Sequence, residues 1–269
     1  LEETLKNNSN SHFTVIAKFR NVGAPVSLQG LTPSEIIQSK QRQADLAMDD
    51  LLDTVEVQQK RSSDIKRISK FWIDNSMAIT ATPAFLRTLK DREDLASLEV
   101  NETIKLFDPM ETTNEDSDSE TLTYGVKKVR AAKVWDELGI DGTGITVGVL
   151  DTGIDSDHAD LAGRVIKSKD FVSNYEDDTA NDGHGHGTHC AGSIGGAATS
   201  GIAIGVAPKV NFLGGKIFSD SGSTTREAIM NGMQWMTDPD GDPETDDFPR
   251  VVSNSWGGPL GTHWVEIMN

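Results

Sequence analysis

Short apolar runs that alternate with helical patterns from residue 122 onward constrain the fold most strongly. Glycine becomes frequent around these runs, which lie at Ile145–Leu150, Val165–Phe171, Val210–Ile217 and Val251–Ser255. Apolar strands separated by helices are typical of a parallel sheet that is covered on both faces. We therefore predict an α/β domain with a mostly parallel sheet over residues 122–269.

The N-terminal part of the chain shows a different pattern. Phe13, Val15, Ala17 and Phe19 alternate with other residues, which predicts a half-buried strand. Thr32-Pro33-Ser34-Glu35 is a capping box with proline at the first helical position. The predicted elements are strands at His12–Phe19, Ile65–Ile73, Met77–Thr80 and Leu98–Leu106, and helices from Thr32 to about Gln59 and from Thr82 to about Lys90. This β-α-β-β-α-β order predicts a ferredoxin-like α+β unit over residues 12–108.

An acidic segment separates the two parts. Among Thr, Asn and Ser residues it contains Glu111, Glu115, Asp116, Asp118 and Glu120. Such a composition buries little apolar surface, so we predict a linker over residues 109–121 that is open to proteolysis. Residues 1–11 are polar and are predicted to form a flexible tail.

The composition argues against several classes of protein. The formal net charge of −17 argues against a nucleic-acid partner, because phosphate binding requires Lys and Arg. No apolar run approaches the roughly 18 residues of a membrane-spanning helix. Cys190 is the single cysteine, so an internal disulfide is impossible.

Two segments carry the residues best suited to chemistry. Asp151 follows the apolar run Val147–Leu150, at the strand end where open α/β sheets place their sites. Taken alone, it is equally well a turn residue. His186 lies within His184–Gly192, at the start of a predicted helix, and a histidine beside a carboxylate can act as a general base.

In this order, Val147–Asp155 and His184–Gly192 resemble the Asp and His segments of the subtilisin family of serine proteases, the subtilases. The whole chain resembles a subtilase precursor. Residues 12–108 resemble its inhibitory, chaperone-like propeptide, residues 109–121 would hold the maturation cleavage region, and residues 122–269 resemble the N-terminal part of its catalytic domain. The resemblance implies a serine endopeptidase zymogen that uses Asp151 and His186. Its serine and oxyanion-hole asparagine are expected from a missing C-terminal part or from a second chain.

The resemblance also implies a groove in which an extended peptide adds as a strand between two backbone edges. The implied substrate-binding residues are His184, Gly222, Ser223, Thr224, Ser255, Trp256 and Gly257. Trp256 is bulky where the family often has Leu, so we expect altered pockets. The implied partners are peptide or protein substrates, the propeptide as an intramolecular inhibitor, and the C-terminal remainder of the catalytic domain. A secreted or extracellular location is expected, with the signal peptide already absent.

Calcium is the cofactor that the sequence suggests, at two places. Asp160 falls where the family binds calcium, although Thr199 stands in place of the family's asparagine ligand and Glu120 is a further candidate. The second place is an acidic stretch whose candidate ligands are Asp238, Asp240, Asp242, Glu244 and Asp246. Such crowded carboxylates repel one another unless a cation relieves them. A solvated acidic loop is the alternative, and no organic cofactor is expected.

Two other functions stay open at this point. One is a truncated pseudoprotease that acts as a binding module. The other is a zinc hydrolase, because His184, His186 and His189 form a His-x-His-x-x-His pattern. A zinc site would leave Asp151 unexplained.

Overall fold

The computed structural model describes residues 11–22, 27–106, 121–173 and 179–257, and the chain divides into two compact units. The N-terminal unit contains the described residues up to Glu102 together with Asp240–Asp246. The C-terminal unit contains the described residues of Thr103–Pro239 and of 247–257. The predicted tail and the predicted acidic linker lie almost entirely outside the described residues.

The N-terminal unit has the β-α-β-β-α-β order expected from the sequence. Its elements are β1 (Phe13–Phe19), α1 (Pro33–Gln59), β2 (Ile65–Phe71), β3 (Ser76–Ala81), α2 (Pro83–Thr88) and β4 (Leu95–Val100). The four strands form an antiparallel sheet in the order β2-β3-β1-β4. The fold class predicted for this part is therefore observed.

Helix α1 begins at the predicted capping box and supplies one side of the core. The Glu35 N–H donates to Thr32 Oγ1 at 3.3 Å, and the Thr32 N–H donates to Glu35 Oε2 at 2.8 Å. These two bonds satisfy backbone donors that a helix start would otherwise leave unpaired. The buried face of the helix includes Met48, Leu51 and Val55, which join the core formed with the sheet.

The C-terminal unit is built around a parallel sheet. Its elements are β5 (Thr103–Lys105), α3 (Tyr124–Lys128), α4 (Ala131–Leu138), β6 (Thr146–Asp151), β7 (Val165–Asp170), α5 (His186–Gly195), β8 (Asn211–Lys216), β9 (Ser223–Thr225), α6 (Arg226–Thr237) and β10 (Val251–Ser253). The strands β10-β6-β8-β7 pair in parallel in that order. The predicted parallel sheet is confirmed, and each predicted apolar run overlaps one of these strands. Among the described residues, none of the helices combines the length and apolar character needed to cross a bilayer.

The single strand predicted over Leu98–Leu106 is wrong, because two strands share this stretch. Strand β4 ends at Val100, and the Asn101 N–H makes one more bond to the Thr14 carbonyl at 3.1 Å. Strand β5 begins at Thr103 and pairs with β9 of the C-terminal unit. Local alternation cannot reveal the change of partner, because sheet membership depends on residues far apart in sequence.

Candidate active site

Asp151 ends β6 at the carboxyl edge of the parallel sheet, and its side chain is buried. Its Oδ1 lies 2.7 Å from Nδ1 of His186. The same oxygen accepts the N–H of Thr152 at 2.7 Å. A carboxylate withdrawn from water in this way interacts strongly with the imidazole that it faces.

His186 is the first residue of α5, and two glycines allow it to stand there. Gly185 has a φ of +96°, a conformation that L side chains rarely adopt. A Cβ on Gly187 would stand 2.1 Å from the Gly153 carbonyl oxygen, so a glycine is needed where the helix meets the strand end. The predicted helix start at His186 is confirmed.

The pair has the geometry of a general base held by an acid. When Asp151 accepts a hydrogen bond from Nδ1–H, the imidazole is fixed in the tautomer whose Nε2 is unprotonated. That nitrogen can take a proton from a nucleophile and later return it to a leaving group.

Cys190 lies one helical turn beyond His186, with its Sγ 3.8 Å from Nδ1. Burial raises the pKa of its thiol, which disfavours the thiolate that a nucleophile needs. Within the described ranges, the acid, histidine and cysteine groups that converge to within 4.8 Å are Asp151, His186 and Cys190. His184 and His189 do not join them, so the His-x-His-x-x-His pattern gathers no three-histidine site there.

One predicted wall of the substrate groove is the backbone edge of β9. Strand β5 pairs with it antiparallel, with Thr103 opposite Thr225 and Lys105 opposite Ser223. The next residue continues the ladder, because the Leu106 N–H donates to the Gly222 carbonyl at 2.7 Å. Thr224 is buried and donates its hydroxyl hydrogen to the Ile217 carbonyl. The predicted residues Gly222, Ser223 and Thr224 therefore already hold an extended segment of this chain.

The other predicted wall lies across from Leu106. Asn254, Ser255, Trp256 and Gly257 line, with Leu106, a cavity of about 390 Å³. The Trp256 indole N–H donates to the Leu150 carbonyl at 2.9 Å, which anchors this wall next to Asp151. His184 is exposed, and its ring centroid lies 6.4 Å from that of His186. That these residues contact substrate stays a prediction.

At the first predicted calcium place, Asp160 is held by hydrogen bonds. Asp160 Oδ1 accepts the N–H of Thr199 at 2.9 Å and its hydroxyl at 2.6 Å. These bonds, the hydroxyl first, lower the pKa of Asp160. Thr199 thus holds the carboxylate by hydrogen bonds where the family resemblance implies a shared metal. Glu120 lies outside the described residues.

The acidic stretch from Asp238 is divided between the units, and Asp240–Asp246 belongs to the N-terminal one. Asp240 and Asp242 accept the N–H groups of Asp242 and Glu244 at 2.9 and 3.0 Å. Glu244 accepts bonds from Ser34 and Gln38 of α1 at 2.8 and 2.5 Å. Within the described part of the N-terminal unit, no three of the acids Asp240, Asp242, Glu244 and Asp246 converge on one point. Calcium binding at either place stays a prediction.

Sequence reasoning missed Asp182 and the buried hydrogen bonds of Lys216, a residue that it assigned only to the segment leading into one groove wall. Asp182 accepts hydrogen bonds from four residues around the Asp151–His186 pair. Lys216 is 4% exposed, and its ammonium donates to the Thr152 carbonyl and to Asp220, both at 2.6 Å. The sequence did offer a signal for Asp182. It is an acid that lies shortly before the glycine-flanked start of a predicted helix, where a negative charge is favourable.

The part of the chain that contains Asp151 and His186 matches a known protein family. Residues 142–269 match the model of the subtilase family, peptidase family S8. Over these residues the chain is similar to the subtilase family. The match contains β6, α5 and β8 to β10, so the Asp151–His186 pair and both walls of the predicted groove lie inside the subtilase region.

Individual relatives extend the similarity. Thermitase of Thermoactinomyces vulgaris is 40% identical over 146 residues, which cover 53% of this chain and 47% of thermitase. Bacillopeptidase F of Bacillus subtilis (strain 168) is 27% identical over 258 residues, which cover 87% of this chain and 18% of that protein. A crystal structure of a cold adapted subtilisin-like serine proteinase shares 42% identity, with a TM-score of 0.33, over 36% of this chain and 33% of that one. The chain spans less than half the length of these relatives.

Proposed function

We propose that the protein is a serine endopeptidase that hydrolyses peptide bonds through an Asp–His–Ser triad, with Asp151 and His186 supplied by this chain. The observation that carries the proposal is the 2.7 Å contact between buried Asp151 Oδ1 and His186 Nδ1 inside the subtilase region. The serine and the oxyanion-hole asparagine come from a continuation of this chain or from a second one.

The chemistry is acyl transfer. His186 takes the proton of the serine hydroxyl at Nε2 while the serine oxygen attacks the peptide carbonyl carbon, and Asp151 stabilises the imidazolium that forms. The imidazolium then gives that proton to the leaving amine as the C–N bond breaks. Water, deprotonated by the same nitrogen, releases the acyl group and restores the serine.

The same proposal includes a zymogen. Strand β5 and Leu106 follow the N-terminal unit along the chain and occupy the β9 edge that an extended substrate would use. This placement supports an N-terminal unit that inhibits the enzyme until the chain is cut between about Leu106 and Ser119. Secretion and calcium binding stay predictions within this proposal.

The test compares two histidine variants of the full-length protein with the wild type, each cut between the two units by an added protease, in hydrolysis of an unfolded protein substrate. We expect His186→Ala to lower kcat by at least about 10³-fold, because no base remains for the serine. His158→Gln changes an exposed imidazole and should leave kcat within about twofold. Equal activity of both variants would remove the proposed mechanism. A folded wild-type protein that binds peptides without cutting them would support the pseudoprotease instead.

A further inference from the structure

The first turn of α5 lacks a cap of its own. Backbone N–H groups at a helix start have no partner within the helix, and a side chain at the N-cap usually accepts one of them. Here the N-cap is Gly185, which has no side chain. His186 therefore begins a helix between two glycines, where the backbone has more freedom than elsewhere.

Asp182 replaces the missing cap from three residues upstream. Its Oδ1 accepts the N–H groups of His184 at 3.0 Å and Gly185 at 2.8 Å. Its Oδ2 accepts the N–H of Thr188 at 2.9 Å. One carboxylate thus fixes the backbone on both sides of His186.

Two hydroxyl groups link this carboxylate to the end of β6. Thr152 Oγ1 donates to Asp182 Oδ1 at 2.8 Å and accepts the Gly187 N–H at 2.9 Å. Thr188 Oγ1 donates to Asp182 Oδ2 at 2.7 Å and accepts the Asp155 N–H at 2.9 Å. Because Thr152 directly follows Asp151, both members of the acid–base pair are connected to the same carboxylate.

The charge of Asp182 suits this place. Burial acts to raise the pKa of the carboxyl, but the hydrogen bonds from Thr188, Gly185 and Thr152 outweigh it and hold the pKa below its usual range. The group is therefore ionised near neutral pH and accepts every bond at once. A negative charge is also favourable at the N-terminus of a helix.

We propose that Asp182 is a positioning residue that sets the placement of His186 against Asp151 through Thr152 and the first turn of α5. It acts without touching substrate. The hydrogen bonds alone support the role of Asp182 in placing His186. The expected effect on kcat rests in addition on the function proposed above. Reacting groups displaced by about 1 Å can lose about 100-fold in rate, so a loosened helix start should be visible in kcat.

The experiment uses the full-length protein with three variants. Asp182→Ala removes all the acceptors, and Asp182→Asn keeps the shape but replaces one oxygen with a donor. Asp157→Asn is the control, because it removes an exposed acid near the same edge of the sheet. The first readout is the tautomer of His186, from ¹⁵N chemical shifts of its imidazole at neutral pH. The second readout is kcat and KM for one peptide substrate.

We expect a single Nδ1–H tautomer in the wild type and in Asp157→Asn, and a mixture of tautomers in both Asp182 variants. In those variants kcat should fall about 10- to 100-fold while KM stays within about twofold. If Asp182→Ala does not fold, Asp182→Asn alone decides. An unchanged tautomer and an unchanged kcat in a folded Asp182 variant would overturn the proposal. If the wild type has no peptidase activity, the proposed function fails, and the tautomer still decides the role of Asp182.

Discussion

The two units bury different kinds of side chain. Among the described residues, the N-terminal unit buries few polar side chains, namely Ser39, Asp74 and Ser76. The C-terminal unit buries more of them, namely Asp151, Thr152, Asp160, Asp170, Lys216, Thr224, Arg226 and Glu227. A buried polar group destabilises a protein unless it finds hydrogen-bond partners. The C-terminal unit therefore requires a network of hydrogen bonds around these side chains.

The difference suggests that the N-terminal unit is built mainly for stability, whereas the C-terminal unit also holds groups suited to catalysis. Helix α1 and the antiparallel sheet hold the N-terminal unit together mainly through apolar contacts. In the C-terminal unit, the strand ends and the start of α5 hold an acid and an imidazole at a defined distance. A change in the first unit should therefore alter stability, and a matched change in the second should alter activity.

The largest effect is expected on kcat, from a change at Asp151. A matched change at a buried aspartate of the N-terminal unit is the control. Asp151→Asn should lower kcat about 10⁴-fold, because the amide no longer holds His186 in the tautomer with a free Nε2. Asp74→Asn, which alters a carboxylate that accepts the Ser76 hydroxyl at 2.5 Å, should lower stability and leave kcat per folded molecule within about twofold. Steady-state kinetics and thermal unfolding of both variants check this. Similar losses of kcat in Asp151→Asn and Asp74→Asn would contradict the proposed difference between the two units.

An intermediate effect is expected in the apolar core of α1. Leu51→Ala should lower the free energy of unfolding by about 2–5 kcal/mol, because Leu51 is 0% exposed and its removal leaves a cavity. Leu46 lies on the same helix but is 68% exposed, so Leu46→Ala should cost less than about 0.5 kcal/mol. Urea denaturation of the two variants measures the difference. Equal costs would mean that this face of α1 does not form the core.

The smallest effect concerns acid stability of the C-terminal unit. The ion pair with Lys209, followed by bonds from Thr143, lowers the pKa of Asp141 to about 2. Because the folded pKa lies below the ordinary value, the contribution is present above about pH 4 and is lost as the pH falls towards 2. Asp141→Asn should flatten the decline in stability across this window. Asp136→Asn, at an exposed site on α4, serves as the control, and an equally steep decline in Asp141→Asn and wild type would contradict the assignment.

Much of the fold and of the candidate site could be predicted, because the sequence patterns that indicate them are local. The capping box at Thr32, the apolar runs of the parallel sheet and the helix start at His186 each depend on a few neighbouring residues. The position of Asp151 at a strand end followed from the same patterns.

The missed features depend on residues that are distant in sequence. The network of Asp182 exists only because the end of β6 meets the start of α5, which brings Thr152 to its carboxylate. Glu244 contacts Ser34, which lies 210 positions earlier, so its role in the N-terminal unit could not be read from the acidic stretch alone. The same limit applies to the division of residues 98–106 between two sheets.

The central claim is that Asp151 and His186 activate a serine. Labelling the native full-length protein with a fluorophosphonate, followed by peptide mass spectrometry, tests this most directly, because such reagents react with an activated serine hydroxyl. We predict one labelled serine in the wild type after removal of the N-terminal unit, and loss of that label in His186→Ala. A folded wild-type protein that takes up no label once the N-terminal unit has been removed, or a label that persists in His186→Ala treated in the same way, would contradict the claim.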